Sequence, residues 1–110
     1  MSITELAKLR QVTSETLRYY DRIGLITPDY VDPQTRYRYY SIRQYEKLGT
    51  IKELRQLGMS IHDITDYFSG RNLRKSHQLL LHQLELLEEE IRKQQLLSEI
   101  LRRKLHFLSE

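Results

Sequence analysis

The chain of 110 residues has no cysteine and four histidines, and its net charge is only +3. The missing cysteines exclude thiolate metal sites, redox switching through a Cys pair and Cys-based catalysis. The length suits one small domain with an appendage, and no apolar run approaches a membrane span or a secretory signal. We therefore expect a cytoplasmic protein that does not enter membranes.

The distribution of charge is more informative than its sum. Residues 1–60 hold ten Lys and Arg against seven Asp and Glu, whereas residues 61–110 hold eight of each. Most of the tyrosines also lie in the first part. A basic, aromatic first part predicts an anionic partner, and the neutral second part predicts a protein partner.

Two short helices are predicted at the beginning of the chain. Ser2 followed three residues later by Glu5 forms a capping box, so the first helix starts almost at the first residue. Thr13 or the serine after it caps a second helix, which stops at Gly24. Two short helices joined by a tight turn are the outline of a helix-turn-helix.

The second helix has two faces that differ in chemistry. Leu17 and Tyr20 are expected to point inward, because residues three or four apart share a face. The outer face then carries Glu15, Arg18, Tyr19 and Arg22. Such a face either binds an anionic partner or is an ordinary solvated helix surface.

The segment GLITPDYVDPQTRYRYYS predicts a two-stranded hairpin, because apolar and polar residues alternate on both sides of DPQT. Pro33 suits the second position of a type I turn. An isolated hairpin is marginal in water, so we expect it to pack on the helices or on a ligand. Its arginines and tyrosines either grip phosphates or serve as ordinary strand residues with cross-strand partners. Tyr39 is left without a role.

Two more helices follow the hairpin. Ser41 is expected to cap a third helix that runs to about residue 57 and ends at Gly58. Its apolar residues repeat every three positions and are predicted to face inward: Ile42, Tyr45, Leu48, Ile51, Leu54 and Leu57. Ser60 begins a short fourth helix, and SGRN at 69–72 is the one plausible linker.

From residue 73 the apolar pattern becomes that of a coiled coil. Steps of four and three alternate through Leu73, His77, Leu80, Leu84, Leu87, Ile91, Gln94, Ser98, Leu101, Leu105 and Leu108. Eight of these eleven seam positions are Leu or Ile, so a monomer would leave a long apolar stripe in water. We expect the seam to bind a second copy of the chain.

Four segments together resemble the MerR family of bacterial transcription regulators. They are ITELAK at 3–8, TLRYYDRIGL at 16–25, YRYYS at 37–41 and LRQLG at 54–58. Their order and spacing match the family across roughly residues 1–70, and the coiled-coil helix extends the match to the end. The wing resembles in particular that of the multidrug-responsive BmrR type.

The resemblance implies a mainly α fold: a winged helix-turn-helix DNA-binding domain at 1–70 and a long dimerising coiled-coil helix at 71–110. The candidate DNA-contacting residues are Thr16, Arg18, Tyr19, Arg22, Arg36, Tyr37, Arg38, Tyr40 and Lys52. The candidate dimerisation residues are Leu80, Leu84, Leu87, Ile91, Leu101 and Leu105. The implied partners are double-stranded DNA, a second copy in an antiparallel coiled coil, and RNA polymerase at a promoter.

In two places the chain departs from the family pattern. Gln11 stands in the helix-turn-helix turn where relatives often have Gly or Asn, and Arg36 stands where many have Gly. Gln11 would strain the turn if its φ is positive. Arg36 adds a positive charge on the side expected to face DNA.

Two functions from different classes remain open at this point. The chain is either a homodimeric regulator that binds a palindromic promoter and distorts its spacer, or a coiled-coil assembly or adaptor module with a non-specific basic head. The sequence contains no enzyme motif and predicts no cofactor site. No metal site is predicted either, because His77 and His82 lie on different faces of the helix. Relatives carry an inducer-binding domain after the coiled coil, so we expect the effector domain to be absent from these 110 residues, which form either a short member or part of a longer regulator.

Overall fold

The computed structural model describes residues 1–70 and 73–109 and divides into two units, Met1–Ser69 and Gly70–Glu110. Its elements in chain order are α1 Ile3–Arg10, α2 Ser14–Arg22, β1 Tyr30–Val31, β2 Arg38–Tyr39, α3 Ile42–Gln56, α4 Ile61–Phe68 and α5 Leu73–Ser109. The predicted mainly α fold with a small hairpin and a long final helix is confirmed. The last two residues of the SGRN linker and the Leu73 side chain lie outside the described part of the chain.

Short-range caps fix the first two helices. The Ser2 hydroxyl accepts from the Glu5 N–H at 3.1 Å while the Glu5 carboxylate accepts from the Ser2 N–H at 3.2 Å, which is the predicted capping box. Thr13 caps α2 by accepting from the Thr16 N–H at 3.0 Å. Between them Gln11 ends α1 in the left-handed region, at φ 56° and ψ 48°.

Gln11 therefore occupies a position that favours glycine. We expect Gln11→Gly to raise the free energy of unfolding by about 0.5 to 1 kcal/mol. Removing the Cβ relieves a cost of about 1–2 kcal/mol in the left-handed region, and the greater entropy of glycine in the unfolded chain offsets part of this gain. Urea titration followed by circular dichroism measures the change. As a control, Glu53→Gly at an exposed position inside α3 should destabilise by about 1 kcal/mol. A destabilised Gln11→Gly would contradict the prediction.

The core of the first unit is built from every helix in it and from the ends of the hairpin. The buried side chains are Leu6, Ala7, Leu17, Tyr20, Leu25, Ile26, Tyr40, Leu48, Ile51, Leu54, Met59 and Ile64. The expectation that Leu17 and Tyr20 point inward is thus confirmed. The predicted stripe on α3 is wrong at both ends, since Ile42 is 66% and Leu57 is 50% exposed. Each step of three residues turns by about 60° less than a full circle, so the five steps between these six residues cannot stay on one face.

The hairpin is shorter than the sequence alternation predicts. Its antiparallel ladder pairs Tyr30 with Tyr39 and Val31 with Arg38, while Leu25 and Ile26 lie buried outside the strands. Main-chain bonds tie its second strand to the beginning of the chain: the Tyr40 N–H donates to the Met1 carbonyl at 2.7 Å. The Met1 ammonium donates to the Tyr40 carbonyl at 2.8 Å. The hairpin thus packs on the helical unit, as expected for so small a sheet.

Arg10 joins the end of α1 to α3. Its guanidinium stacks over the Tyr45 ring at 3.7 Å, and its Nε donates to the Tyr45 carbonyl at 2.9 Å. Gly49 makes room for this side chain, because a Cβ there would come within 2.6 Å of the guanidinium. The Lys52 ammonium donates to the Arg10 carbonyl. These contacts hold the first helix of the helix-turn-helix on α3.

The second unit is the single helix α5. Its six candidate dimerisation residues are all between 39% and 66% exposed: Leu80, Leu84, Leu87, Ile91, Leu101 and Leu105. Among the described residues, none of the helices has the length and apolar character that crossing a membrane requires.

Candidate nucleic-acid interface

A cleft of about 460 Å³ opens between the start of α1, the helix α2 and the hairpin. It is lined by Ser2, Ile3, Thr4, Arg18, Arg36, Tyr37 and Arg38. Three of these seven residues are arginines, and none of them is acidic. The N-terminal end of α1 adds the partial positive charge of the helix dipole to the same cleft. A site of this composition attracts a phosphate group.

The outer face of α2 carries the predicted polar residues. Arg18, Tyr19 and Arg22 are exposed, and the Arg22 guanidinium lies 5.7 Å from the centre of the Tyr19 ring. Arg18 also lines the cleft, so one side chain links the helix surface to the hairpin side. The structure therefore presents two arginines and a tyrosine on the face that the helix-turn-helix outline assigns to a groove.

The hairpin loop brings a further arginine, Arg36, to the same side. Its turn is closed by the Arg36 N–H donating to the Asp32 carbonyl at 2.8 Å. The Asp32 carboxylate accepts from the N–H groups of Gln34 and Thr35, which lower its pKa. Arg36 takes φ 64°, and Tyr37 after it is 65% exposed. The loop thus holds an arginine and a tyrosine out in solvent at the mouth of the cleft.

Arg38 is held differently from Arg36. Its Nε donates to the Asp21 carboxylate at 3.2 Å, and the two side chains are 34% and 25% exposed. Asp21 lies on the last turn of α2, so this ion pair connects the candidate groove-binding helix to the hairpin. No role was predicted for Asp21, because nothing local indicates that a residue 17 positions away will be its partner.

Tyr40 does not occupy the position expected of a DNA contact. It is 3% exposed, and its hydroxyl is buried without a hydrogen-bond partner. Burial raises the pKa of this hydroxyl. Its main chain pairs with Met1, which turns the ring into the core and away from the surface where a phosphate would bind.

Thr16 and Lys52 each have a partner within the protein. The Thr16 hydroxyl is 2.8 Å from the Thr13 hydroxyl in the cap of α2. The Lys52 ammonium binds the Arg10 carbonyl, as described above. Both side chains are half-buried. Their contact with DNA stays a prediction, and both already stabilise the helix-turn-helix.

A group of possible metal ligands lies apart from the cleft lining, on α4. Ligand atoms of His62, Asp63 and Asp66 fall within 4.8 Å of one another. His62 Nδ1 is 3.6 Å and 3.7 Å from the two carboxylates, so ion pairing accounts for the closeness when the histidine is protonated. We assign no metal to this group.

Comparison with known proteins agrees with this geometry. A family model described as MerR HTH family regulatory protein matches residues 1–71. The chain belongs to the MerR family. MerR relatives and the family as a whole are transcriptional regulators and not enzymes.

Individual MerR relatives show how much of the chain is shared. The Multidrug-efflux transporter 1 regulator of Bacillus subtilis is 46% identical over 63 residues, which are 57% of this chain and 23% of that protein. The transcriptional regulator BrlR of Pseudomonas aeruginosa is 36% identical over 104 residues, 91% of this chain and 38% of its own length. The matches therefore cover only 23% and 38% of these relatives' own lengths.

Two solved structures extend the similarity to the long helix. The structure of the EcmrR–DNA complex in EcmrR-RPo is 32% identical, with a TM-score of 0.70, and the match covers 99% of this chain and 38% of that one. MtaN, the N-terminus of the Bacillus subtilis multidrug transporter activator, is 25% identical with a TM-score of 0.71, and 96% and 97% of the two chains are covered. The fold is thus that of MerR-family regulators, one of which is bound to DNA.

Proposed function

We propose that this chain is a homodimeric transcription regulator that binds double-stranded DNA at a palindromic promoter site. In each head α2 enters the major groove, and the hairpin lies on the adjacent sugar-phosphate backbone. The observation that supports this most strongly is the cleft between α2 and the hairpin, where Arg18, Arg36 and Arg38 converge with the N-terminal end of α1. Arginines and helix N-termini are the groups that proteins place on DNA phosphates.

The proposed dimer rests on α5. Its apolar seam repeats every 3.5 residues and is exposed in the single chain, so a second copy is the natural partner for it. Two identical heads related by a two-fold axis read two inverted half-sites, which is why the proposed operator is a palindrome. We favour an antiparallel pairing of the helices, because the family resemblance implies it and it sets the two heads apart along one face of the duplex.

RNA polymerase is the further partner that we propose. A regulator of this family would act by distorting the spacer of the promoter, and the EcmrR–DNA complex is a structural neighbour. Distorting DNA in this way costs deformation energy, which the extra contacts that the bend permits repay. The proposed function places the protein with the DNA, in the cytoplasm.

Salt dependence of binding tests the phosphate contacts. We expect Arg36→Ala and Arg38→Ala each to weaken binding to specific and random duplexes alike and to flatten the slope of log affinity against log salt by about 0.9, because each releases about one counterion fewer. Fluorescence anisotropy with a labelled duplex at several salt concentrations measures both quantities. Arg103→Ala is the matched control, since Arg103 pairs with Glu99 on α5 and does not line the cleft.

The same measurement distinguishes the regulator from an adaptor module. Absence of salt-dependent binding by the unsubstituted protein would leave the coiled coil as the functional part and would contradict the proposal. Equal slopes for all four proteins would mean that the cleft does not meet the DNA backbone. Selection from a random duplex pool should recover inverted repeats, and recovery of unrelated single half-sites would contradict the palindrome.

A further inference from the structure

We propose that Asp21 is a positioning residue for DNA binding, because it holds the Arg38 guanidinium with its free edge toward a phosphate in the cleft. This inference rests on the proposed function, since it assigns the orientation of one of the arginines that would grip the backbone. Asp21 itself does not line the cleft, whereas Arg38 does. The carboxylate is therefore behind the arginine and does not stand between it and the ligand.

The geometry of the ion pair leaves most of the guanidinium available. Arg38 uses Nε to reach Asp21 Oδ2 at 3.2 Å. A guanidinium has five N–H donors, so the four on the two η nitrogens remain for another acceptor. Two parallel N–H donors match two oxygens of a phosphate, and this bidentate pairing requires a defined orientation of the plane.

The partial burial of the Asp21–Arg38 pair favours one orientation of the guanidinium. Both side chains are only about a third exposed or less, so solvent and salt screen this pair less than a fully exposed one. Tyr40, two residues after Arg38, is buried, so the chain beside Arg38 is anchored in the core. Arg38 is thus held in a partly buried ion pair and also lines the cleft.

Asp21 also has an opposite effect that the experiment must separate. Its negative charge repels DNA, so removing it alone could tighten binding even if the orientation of Arg38 is lost. Asp21→Asn and Asp21→Ala both remove the charge, but only asparagine keeps an oxygen that can accept from Nε–H. The ratio of their affinities therefore reports the acceptor alone.

We expect Asp21→Asn to bind a labelled duplex about two- to tenfold more tightly than Asp21→Ala, the range expected for ordering one flexible side chain. In the background of Arg38→Ala, the same ratio should fall to about one, because there is no guanidinium left to orient. Anisotropy titrations at one salt concentration give all four affinities, and thermal melting by circular dichroism confirms that each variant is folded. Asp21→Leu, which resembles asparagine in shape but lacks an acceptor, replaces Asp21→Ala if the alanine variant does not fold.

Each outcome decides the matter. Equal affinities of Asp21→Asn and Asp21→Ala with Arg38 present would overturn the positioning role. A ratio that persists without Arg38 would also overturn it, because Asp21 would then act on something else, such as the stability of α2. Absence of salt-dependent binding by the unsubstituted protein would instead defeat the proposed function. Failure of the positioning role and failure of the proposed function are therefore distinguishable.

Discussion

Replacing Leu84 and Ile91 with lysine is expected to convert the proposed dimer to a monomer and to weaken operator binding by at least about a hundredfold. Both residues are about half exposed in the single chain and lie on the seam, one heptad apart. Two copies would bring four ammonium groups into an interface that has to be dry, and buried unpaired charge is strongly unfavourable. The separated heads would lose the high effective concentration at which the second half-site is bound in a dimer.

Sedimentation velocity measures the mass, and anisotropy with a duplex that contains both half-sites measures the affinity. The matched control is the Gln78→Lys and His82→Lys double variant, which adds two lysines at exposed positions of α5 outside the seam. It should remain a dimer and bind normally. A seam variant that stays dimeric would show that the seam is wrongly assigned. A monomer with undiminished affinity would show that a single head carries the binding.

Features that depend on neighbours in sequence were predictable from the chain. The four N-cap positions are each decided within four residues, and the structure starts a helix after each of them: Ser2, Thr13, Ser41 and Ser60. The hydroxyls of Ser2, Thr13 and Ser60 accept the expected N–H, whereas the Ser41 hydroxyl has no hydrogen-bond partner and this helix start is held by the Ser41 N–H donating to Gln44. The seam of α5 depends only on periodicity within one helix. The family resemblance located the helix-turn-helix and the hairpin because those motifs are contiguous segments.

Features that depend on distant partners were not predictable in the same way. Tyr40 pairs with Met1, 39 residues away, and this contact decides that its ring is buried. Alternation along the hairpin does not reach Tyr40, because the ladder ends at Tyr39. Met59 is fully buried although it follows the end of α3, where periodicity carries no information. The Asp21–Arg38 pair likewise exists only once the hairpin folds back on α2.

The two departures from the family pattern have the same physical setting. Gln11 and Arg36 are the non-glycine residues with positive φ among the described residues, at 56° and 64°. The sequence predicted strain for Gln11 if its φ is positive, and the structure confirms the positive φ. For Arg36 only the added charge was predicted. Its exposed place at the cleft explains why an arginine is useful there although the backbone favours glycine.

Arg18→Ala is expected to separate base reading from backbone grip. Arg18 projects from the exposed face of α2, and the second helix of a helix-turn-helix is the one that lies in the major groove and contacts base edges. A bidentate contact from arginine to guanine discriminates against other bases by about 1–3 kcal/mol. The variant should therefore lose about 1–3 kcal/mol on the selected site and clearly less on random DNA.

Because Arg18 also lines the cleft, equal losses of affinity on the two duplexes would be informative too. Arg36 also lines the cleft and is proposed to contact the DNA backbone. Arg36→Ala is therefore the internal comparison and should weaken binding to both duplexes equally. Competition anisotropy with the selected duplex and a scrambled duplex of the same length gives the two losses for each variant. If Arg18→Ala behaves as Arg36→Ala does, Arg18 is a phosphate contact, and sequence recognition falls to Tyr19, Arg22 and the deformability of the DNA.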